Sequence, residues 1–294
     1  AASDVYKRQA DVRADSGDLP QGAQKRVDDA YRRRNFTFSD FGRDYGEFKN
    51  YLNREYGFDY SFDVSYMPQR GAPNGRKTAY QTLISPSFTW TAFNNEYGTG
   101  TLNFAYTVAR YGGSQAARIG GNIGAVTEIN DYDDKSNAFN ELYYSYQAGG
   151  SWKWLTVAAG QFPLSNFDGT AYDSNQQVNF INYALSQNAS STYSTAGVGA
   201  YLQATPNSEW TFAVGAQDAT NVDGISVRFN NLNEEHYATF GYIAYSPTIK
   251  GLGAGQYSVL LYNQPWVEEQ KQTTNGWSVN LSPVSYTHLR AHET

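Results

Sequence analysis

In GFDYSFDVSYMP, residues 57–68, the residues Phe58, Tyr60, Phe62, Val64 and Tyr66 alternate without a break with Asp59, Ser61, Asp63 and Ser65. Successive side chains of a strand point to opposite faces, so one face here is aromatic and the other polar. Such a strand belongs at a boundary between an apolar medium and water. The pattern recurs: Leu102, Phe104, Tyr106 and Val108 alternate with Thr101, Asn103, Ala105 and Thr107. Trp210, Phe212, Val214 and Ala216 alternate with Thr211, Ala213 and Gly215, so small or polar residues fill the second face.

Matching this alternation along the chain predicts ten strands, at roughly 57–67, 78–93, 99–110, 138–148, 151–162, 195–204, 208–217, 236–246, 255–263 and 274–282. Their connections alternate in length. NNEYG (94–98), AGG (148–150) and TPN (205–207) are tight, whereas 67–77, 111–137, 163–194 and 218–235 are long. One elaborate end and one tight end are the pattern of an outer-membrane barrel with extracellular loops and periplasmic turns. A β-sandwich also alternates, because each of its sheets has one face on the core. Aromatics near strand ends, including Tyr66, Trp90, Phe93, Trp152, Trp154, Trp210 and Trp277, favour the girdles of a barrel. A sandwich core would also call for more Leu, Ile and Val. The fold expected is therefore all-β, an antiparallel transmembrane barrel.

Composition excludes several classes. Aromatics make up 16% of the 294 residues, which rules out intrinsic disorder, and the absence of cysteine removes disulfides and thiolate metal sites. A net charge of -6 without a basic block argues against nucleic acid as a partner. No window approaches the roughly 18 consecutive apolar residues of a spanning helix, and mean hydropathy is -0.61.

Two short helices are expected ahead of the strands. GAQKRVDDAYRRRN, 22–35, presents Lys and Arg to solvent, and from the N-cap Ser39 the residues Phe41, Tyr45, Phe48 and Leu52 follow helical spacing. The termini carry a different signal. AASDVYKRQ (1–9) and VSYTHLRAHET (284–294) read back into codons as the two adapters of a short-read sequencing library, and are set aside from fold reasoning. The expected organisation is adapter-derived sequence at 1–9, a polar segment at 10–38, a partial barrel at 39–282 and mainly adapter-derived sequence at 283–294. On that reading the natural segment, about Ala10 to Ser282, is a gene fragment from a mixed read set, with any signal peptide lost by truncation.

Motifs for chemistry fail on inspection. IGGNIG (119–124) lacks the Lys-Ser/Thr of a phosphate loop and reads as a flexible loop. NDYDDKSN (130–137) lacks calcium-loop spacing, with Leu142 where a bidentate Glu belongs. Glu234 and Glu235 flank His236, the one histidine outside the adapter segments, with no nucleophile in reach of the pattern. No catalytic residue, metal ligand or cofactor is assigned, and an enzyme is not expected.

Three stretches resemble the carbohydrate-selective porins, the OprB-type family of bacterial outer membranes. FGRDYGEFKNYLNREYGFDYSFDVSY (41–66) is similar to the family's opening helix and first strand, and NAFNELYYSYQ with WLTVAAGQFP resembles its hairpin ending in Gly-Gln-Phe. FDGTAYDSNQQVNFINYALSQNA (167–189) is the most specific, through Phe167, Asp168, Asn175, Phe180, Asn182 and Leu185. WTFAVGAQDATN and GQYSVLLYNQ extend the likeness over most of 41–282. The resemblance implies a closed barrel of about sixteen antiparallel strands, of which about six would be absent from this chain. One departure stands out: the family's Arg-rich strand interior before Gly-Gln-Phe reads Thr156 and Ala158 here.

A sugar requires fixed hydrogen-bonding groups and an aromatic face, which a pore supplies where loops fold inward. The candidates for a constriction are Arg118, Tyr132, Phe167, Asp168 and Tyr172 in the long segments, and Glu141 on the lumen parity with Tyr143 and Ser145. Arg110 lies off that parity near a strand end, and Arg228 sits in another long loop. Tyr132, Tyr143, Phe167 and Tyr172 are the stacking candidates. Each charge also reads as an ordinary hydrated lumen or loop residue, and each tyrosine equally as an interface anchor.

The function expected is passive, sugar-selective diffusion across a Gram-negative outer membrane. Small sugars would be the solutes, with outer-membrane lipid and lipopolysaccharide around a homotrimer or a monomer. The rivals are a general or anion-selective porin, and a soluble or surface β-sandwich that binds glycans. The fragment alone is expected not to close, since open edges would expose unpaired backbone groups to lipid.

Overall fold

A computed structural model of the chain describes residues 38–71, 77–124, 136–168, 191–229, 232, 236–250, 253–271 and 273–282. The chain divides into two compact units, Ala1–Tyr51 and Leu52–Thr294. Helix α1, Phe38–Tyr56, begins in the first and is the expected amphipathic helix. The helix proposed at 22–35 lies outside the described residues.

The second unit is one ten-stranded antiparallel sheet. Its strands are β1 (Phe58–Arg70), β2 (Thr78–Asn95), β3 (Gly98–Gly113), β4 (Asn137–Ala148), β5 (Leu155–Phe162), β6 (Gly197–Ala204), β7 (Trp210–Asp218) and β8 (Tyr237–Tyr245), followed after a small hairpin by β11 (Gln256–Gln264) and β12 (Thr274–Ser282). The hairpin, β9 (Thr248–Ile249) with β10 (Gly253–Ala254), forms its own ladder. Every strand of the large sheet pairs with the one next to it in order, and β1 and β12 are its edges among the described residues.

All ten expected strands are present, several longer than the alternation indicated. The fifth is shorter: Gly150–Trp152 forms a tight 3-10 turn and β5 begins at Leu155. Gly150, at φ +58°, makes that turn, and Gly149 N–H donates to Tyr97 O at 2.8 Å, clamping the two tight turns together. IGGNIG is not a loop as expected. Its first five residues lie in the helix Ala116–Ile123 (α2), which Gly124 ends in the left-handed conformation, and Ile119 is buried.

Register shows how the two faces are built. Tyr60, Phe88, Phe104 and Leu142 stand side by side across β1–β4. Phe88 and Phe104 stack at 4.7 Å. On β5–β11 the same face carries the row Val157, Leu202, Val214, Gly241 and Leu261. The row on β1–β4 is half-exposed, and elsewhere on this face Phe62 at 60%, Val214 at 58% and Leu261 at 58% stand open to the surroundings. A wall of this size that is both apolar and exposed is unsuited to water and suited to hydrocarbon. Toward the tight-turn end the wall finishes in aromatics: Trp210 meets Tyr245 at 4.7 Å, Tyr245 meets Tyr257 at 6.4 Å, and Trp152 meets Trp154 at 5.5 Å. This is an interfacial girdle.

Candidate functional site

The other face, called inner here, changes character along the sheet. On β1–β4 it is polar. Asp59, Thr89, Asn103 and Tyr143 form one cross-strand row, and Ser145 lies on the same face. Thr89 Oγ1 bonds Asn103 Oδ1 at 3.4 Å, and Asn103 Nδ2 donates to Ser145 Oγ at 3.4 Å. Asn140, the extra residue of a bulge between β3 and β4, donates to Thr107 Oγ1 at 2.8 Å. The charged side chains that the described strands turn to this face are Asp59, Asp63 and Glu141, all carboxylates.

On β5–β12 the inner face is aromatic. Ala158, Tyr201, Gly215, Phe240, Tyr262 and Gly276 form one row in which the three rings are flanked and separated by residues lacking bulk, except that Phe240 and Tyr262 are direct neighbours. The small residues are what admit the rings. A Cβ on Gly215 would stand 2.6 Å from Tyr201 Cβ and 2.7 Å from Phe240 Cε1. The sequence led to the expectation of a small and polar second face around β7; Ala213 and Gly215 are small because neighbouring rings lie over them.

Both described ends of the long β5–β6 connection fold onto this aromatic wall. Phe162, Leu164 and Phe167 join Ala213, Phe240, Leu260 and Tyr262 in one buried cluster, with Tyr143, Tyr193, Tyr201 and Tyr242 packed around it. Phe167, in the 3-10 turn Leu164–Phe167, meets Tyr201 at 5.3 Å, Phe240 at 4.7 Å and Tyr242 at 5.4 Å. From the other end, Tyr193 meets Tyr262 edge-on at 5.1 Å and its hydroxyl donates to Asp168 Oδ2 at 2.8 Å. Asn166 Nδ2 then donates to Glu141 Oε1 at 2.7 Å, which ties the turn to the polar wall of β4. Aromatic and acidic halves of the inner face thus meet at this turn.

The structure therefore brings Glu141, Tyr143, Phe167 and Asp168 into one region. Two of them do a different job from the one expected. Phe167 is 6% exposed with its ring covered by Tyr201, Phe240 and Tyr242, so it fixes the turn and offers no stacking face. Asp168 is also 6% exposed and is a buried tether. The three arginines lie apart from this group. Arg110 stands on the parity of Val108 and Phe104, and its guanidinium lies along β4, donating to Ser136 O at 3.1 Å and Asn137 Oδ1 at 2.9 Å. Arg118 is exposed on α2. Arg228 is paired within its own connection, 3.7 Å from Asp223 Oδ1. Tyr132, Tyr172, Asn175, Phe180, Asn182 and Leu185 lie outside the described residues.

A second cluster escaped the sequence reading. Gln161 Nε2 donates to Phe139 O at 2.5 Å, and its Oε1 accepts from Asn221 Nδ2 at 3.3 Å, so the Gly-Gln-Phe segment holds the β7–β8 connection against β4. Ser194 Oγ and Gln264 Nε2 both donate to Ala219 O, at 2.5 and 3.2 Å, which seats the end of the β5–β6 connection on the ends of β7 and β11. Asp218 Oδ1 accepts from Thr220 N–H at 2.9 Å and caps the same junction. The signal available was the Gln161 of the Gly-Gln-Phe signature; its partners are distant in sequence.

No family model matches the sequence. Among known proteins the chain is 38% identical over 241 residues to Porin AaxA of Chlamydia abortus, a match covering 79% of this chain and 53% of that protein. It is 40% identical over 231 residues to Porin AaxA of Chlamydia pneumoniae, covering 76% of this chain and 52% of the relative. The chain thus spans about half the length of the relatives it matches. Among solved structures, a high-pH structure of Pseudomonas putida OprB superposes with a TM-score of 0.57 over 80% of this chain and 63% of that one, at 13% identity. That likeness establishes the fold: the sheet is part of a porin-type β-barrel wall.

Proposed function

We propose that this chain contributes the wall of a water-filled porin channel through which small polar solutes diffuse passively, selected at the region where the turn 163–168 meets β4. The sheet resides in the outer membrane, and its relatives carry the name of channels, not enzymes. The observation that carries the channel reading is the division of faces: an exposed apolar outer wall ringed with aromatics, and an inner wall that on β1–β4 is made of carboxylates, hydroxyls and amides. A lumen in lipid needs both. A soluble sandwich has no use for side chains such as Phe62, Val214 and Leu261 standing open in water.

Sugar selectivity is the finer reading. Its support is the adjacency of half-buried tyrosines, Tyr143 and Tyr201 with ring centres 6.4 Å apart, to the Glu141 and Asn166 hydrogen-bonding pair. A half-exposed aromatic ring beside fixed polar groups is what a sugar's C–H surface and hydroxyls require. Planar-bilayer recording with added neutral oligosaccharide tests it. Concentration-dependent block of ion current, relieved in Tyr201→Ala, is the expected result; equal passage of sugars and size-matched polyols would count against it.

One observation favours a second reading. With Asp59, Asp63 and Glu141 as the charges facing inward from the described strands, the wall attracts cations and repels anions. The anion-selective alternative is disfavoured on this ground. The reversal potential in a salt gradient separates a cation-passing pore from a neutral one.

A further inference from the structure

The outer wall carries a notch that the division of faces does not explain. A groove of about 500 Å³ lies across β8, β11 and β12, and the outward-facing residues that line it are Thr239, Gly241, Leu261, Asn263, Asn275 and Trp277. That volume is within the range of small-molecule sites, roughly 300–1,000 Å³. Its depth comes from Gly241, the one residue without a side chain in the row Val157, Leu202, Val214, Gly241 and Leu261. A Cβ built there would meet nothing within 4 Å, so the glycine is not demanded by crowding.

The lining is graded. Trp277 and Leu261, 71% and 58% exposed, make an apolar side. One row nearer the end with the long connections, Thr239, Asn263 and Asn275 stand side by side. Asn263 Nδ2 donates to Asn275 Oδ1 at 2.6 Å. The Asn275 amide N–H groups and the Thr239 hydroxyl make no hydrogen bond among the described residues and point to the same face. In the opposite direction the wall stays apolar through Ile243 until the Tyr245 and Trp210 girdle, six residues from Thr239, or about 20 Å along the strand. The polar lip therefore sits where hydrocarbon gives way to headgroups.

We infer that this notch is a binding site for an acyl chain of an outer-membrane lipid, with the chain lying over Gly241 against Leu261 and Trp277 and its ester or amide carbonyl accepting from Asn275 and Thr239. The occupant is fixed by three features together: an unfilled apolar hollow in a wall whose solvent is hydrocarbon, free donors at one end of it only, and the position of those donors at the interfacial level. An empty hollow too shaped for a neighbouring side chain loses its dispersion contacts, and a flexible acyl chain restores them. The inference rests on the outer-membrane reading above, but not on which solute the channel carries.

The test is native mass spectrometry of the full chain extracted from membranes in a mild detergent, beside Gly241→Leu, which fills the hollow, Asn275→Leu, which removes the donor, and Ile243→Leu as a control on the same wall. Circular dichroism and membrane fractionation accompany each. The expected result is one tightly held lipid on the parent chain and on Ile243→Leu, lost in Gly241→Leu and weakened in Asn275→Leu, with β content unchanged. Equal lipid retention in all four overturns the site. A second copy of the chain retained by the parent and lost in Gly241→Leu overturns it in favour of a subunit contact. A chain that stays out of membranes with its sheet intact overturns both the site and the outer-membrane reading, which the fractionation distinguishes from the first two outcomes.

Discussion

The ring of Phe167 stands edge-on to the ring of Tyr201, with centroids 5.3 Å apart and planes at 84°. This pair fixes the turn after β5 to the inner wall, together with Phe240 and Tyr242. Phe167→Ala removes a buried ring, a change that costs about 3–5 kcal/mol in a well-packed core. The expected outcome is release of the turn with the sheet retained: higher single-channel conductance and new protease cleavage around 163–168, with unchanged strand content by circular dichroism. A Phe167→Ala channel with parental conductance would mean the turn does not narrow the pore.

Glu141 accepts the Asn166 amide at 2.7 Å on the acidic side of the inner wall. Glu141→Gln keeps a hydrogen-bonding oxygen and removes the charge, so selectivity should move and stability should not. Combined with Asp59→Asn and Asp63→Asn, it should shift the reversal potential in a salt gradient toward anions. The shift should shrink as salt rises from 0.1 M to 1 M, because the screening length falls from about 10 Å to 3 Å. A reversal potential indifferent to all three substitutions places the selecting charges elsewhere.

Two glycines of the sheet should respond oppositely to alanine. Gly160 sits at φ +134°, and a Cβ there would stand 2.6 Å from the Cα of Tyr143, a backbone atom that cannot step aside. Gly160→Ala should cost about 1–3 kcal/mol from backbone strain alone, seen as a lower melting temperature in detergent. Gly241→Ala, with open space around it, should leave the melting temperature unchanged.

The assignment of faces is checked by charge. Val214→Arg puts a cation on the apolar wall, two residues from the polar row and four from the Trp210 girdle, at a cost of up to about 2–4 kcal/mol. Ser65→Arg puts the same charge on the polar inner face of β1 and should be tolerated. Yield of membrane-inserted chain after expression reads out both. Equal yields would mean that both faces are wet, and a lower yield of Ser65→Arg than of Val214→Arg would mean that the two faces are reversed.

Much of this was legible in the sequence because a barrel wall is coded locally. The run from Phe58 to Tyr66 fixes its own strand, its own faces and its pairing parity, with no information from elsewhere. Short and long connections then give the two ends. What escaped is what depends on residues remote in the chain. Phe167 read as an open stacking face because its covering rings, Tyr201, Phe240 and Tyr242, come from three other stretches. The cluster of Gln161, Ser194, Asn221 and Gln264 has no local signature, since nothing nearby in sequence says that Ser194 and Gln264 will meet over Ala219 O or that Gln161 and Asn221 will pair. Helix α2 was hidden by its glycines, which lower helix propensity, while burial of Ile119 overrode that preference. The arginines were placed in the channel on charge alone; Arg110 instead satisfies the backbone of the neighbouring strand.

Because each ladder of the large sheet joins strands that follow one another along the chain, with only the small β9–β10 hairpin interposed between β8 and β11, the wall needs no partner from a distant part of the sequence to form any given ladder. Assembly can then proceed hairpin by hairpin in the order of synthesis, each new pair finding a template already laid down and a register already set by alternating residues. Closing a short turn such as Glu96–Tyr97 involves little loop entropy. A sheet built this way can be lengthened by duplicating one hairpin without re-pairing any other strand, so the width of the wall is a property evolution can change two strands at a time.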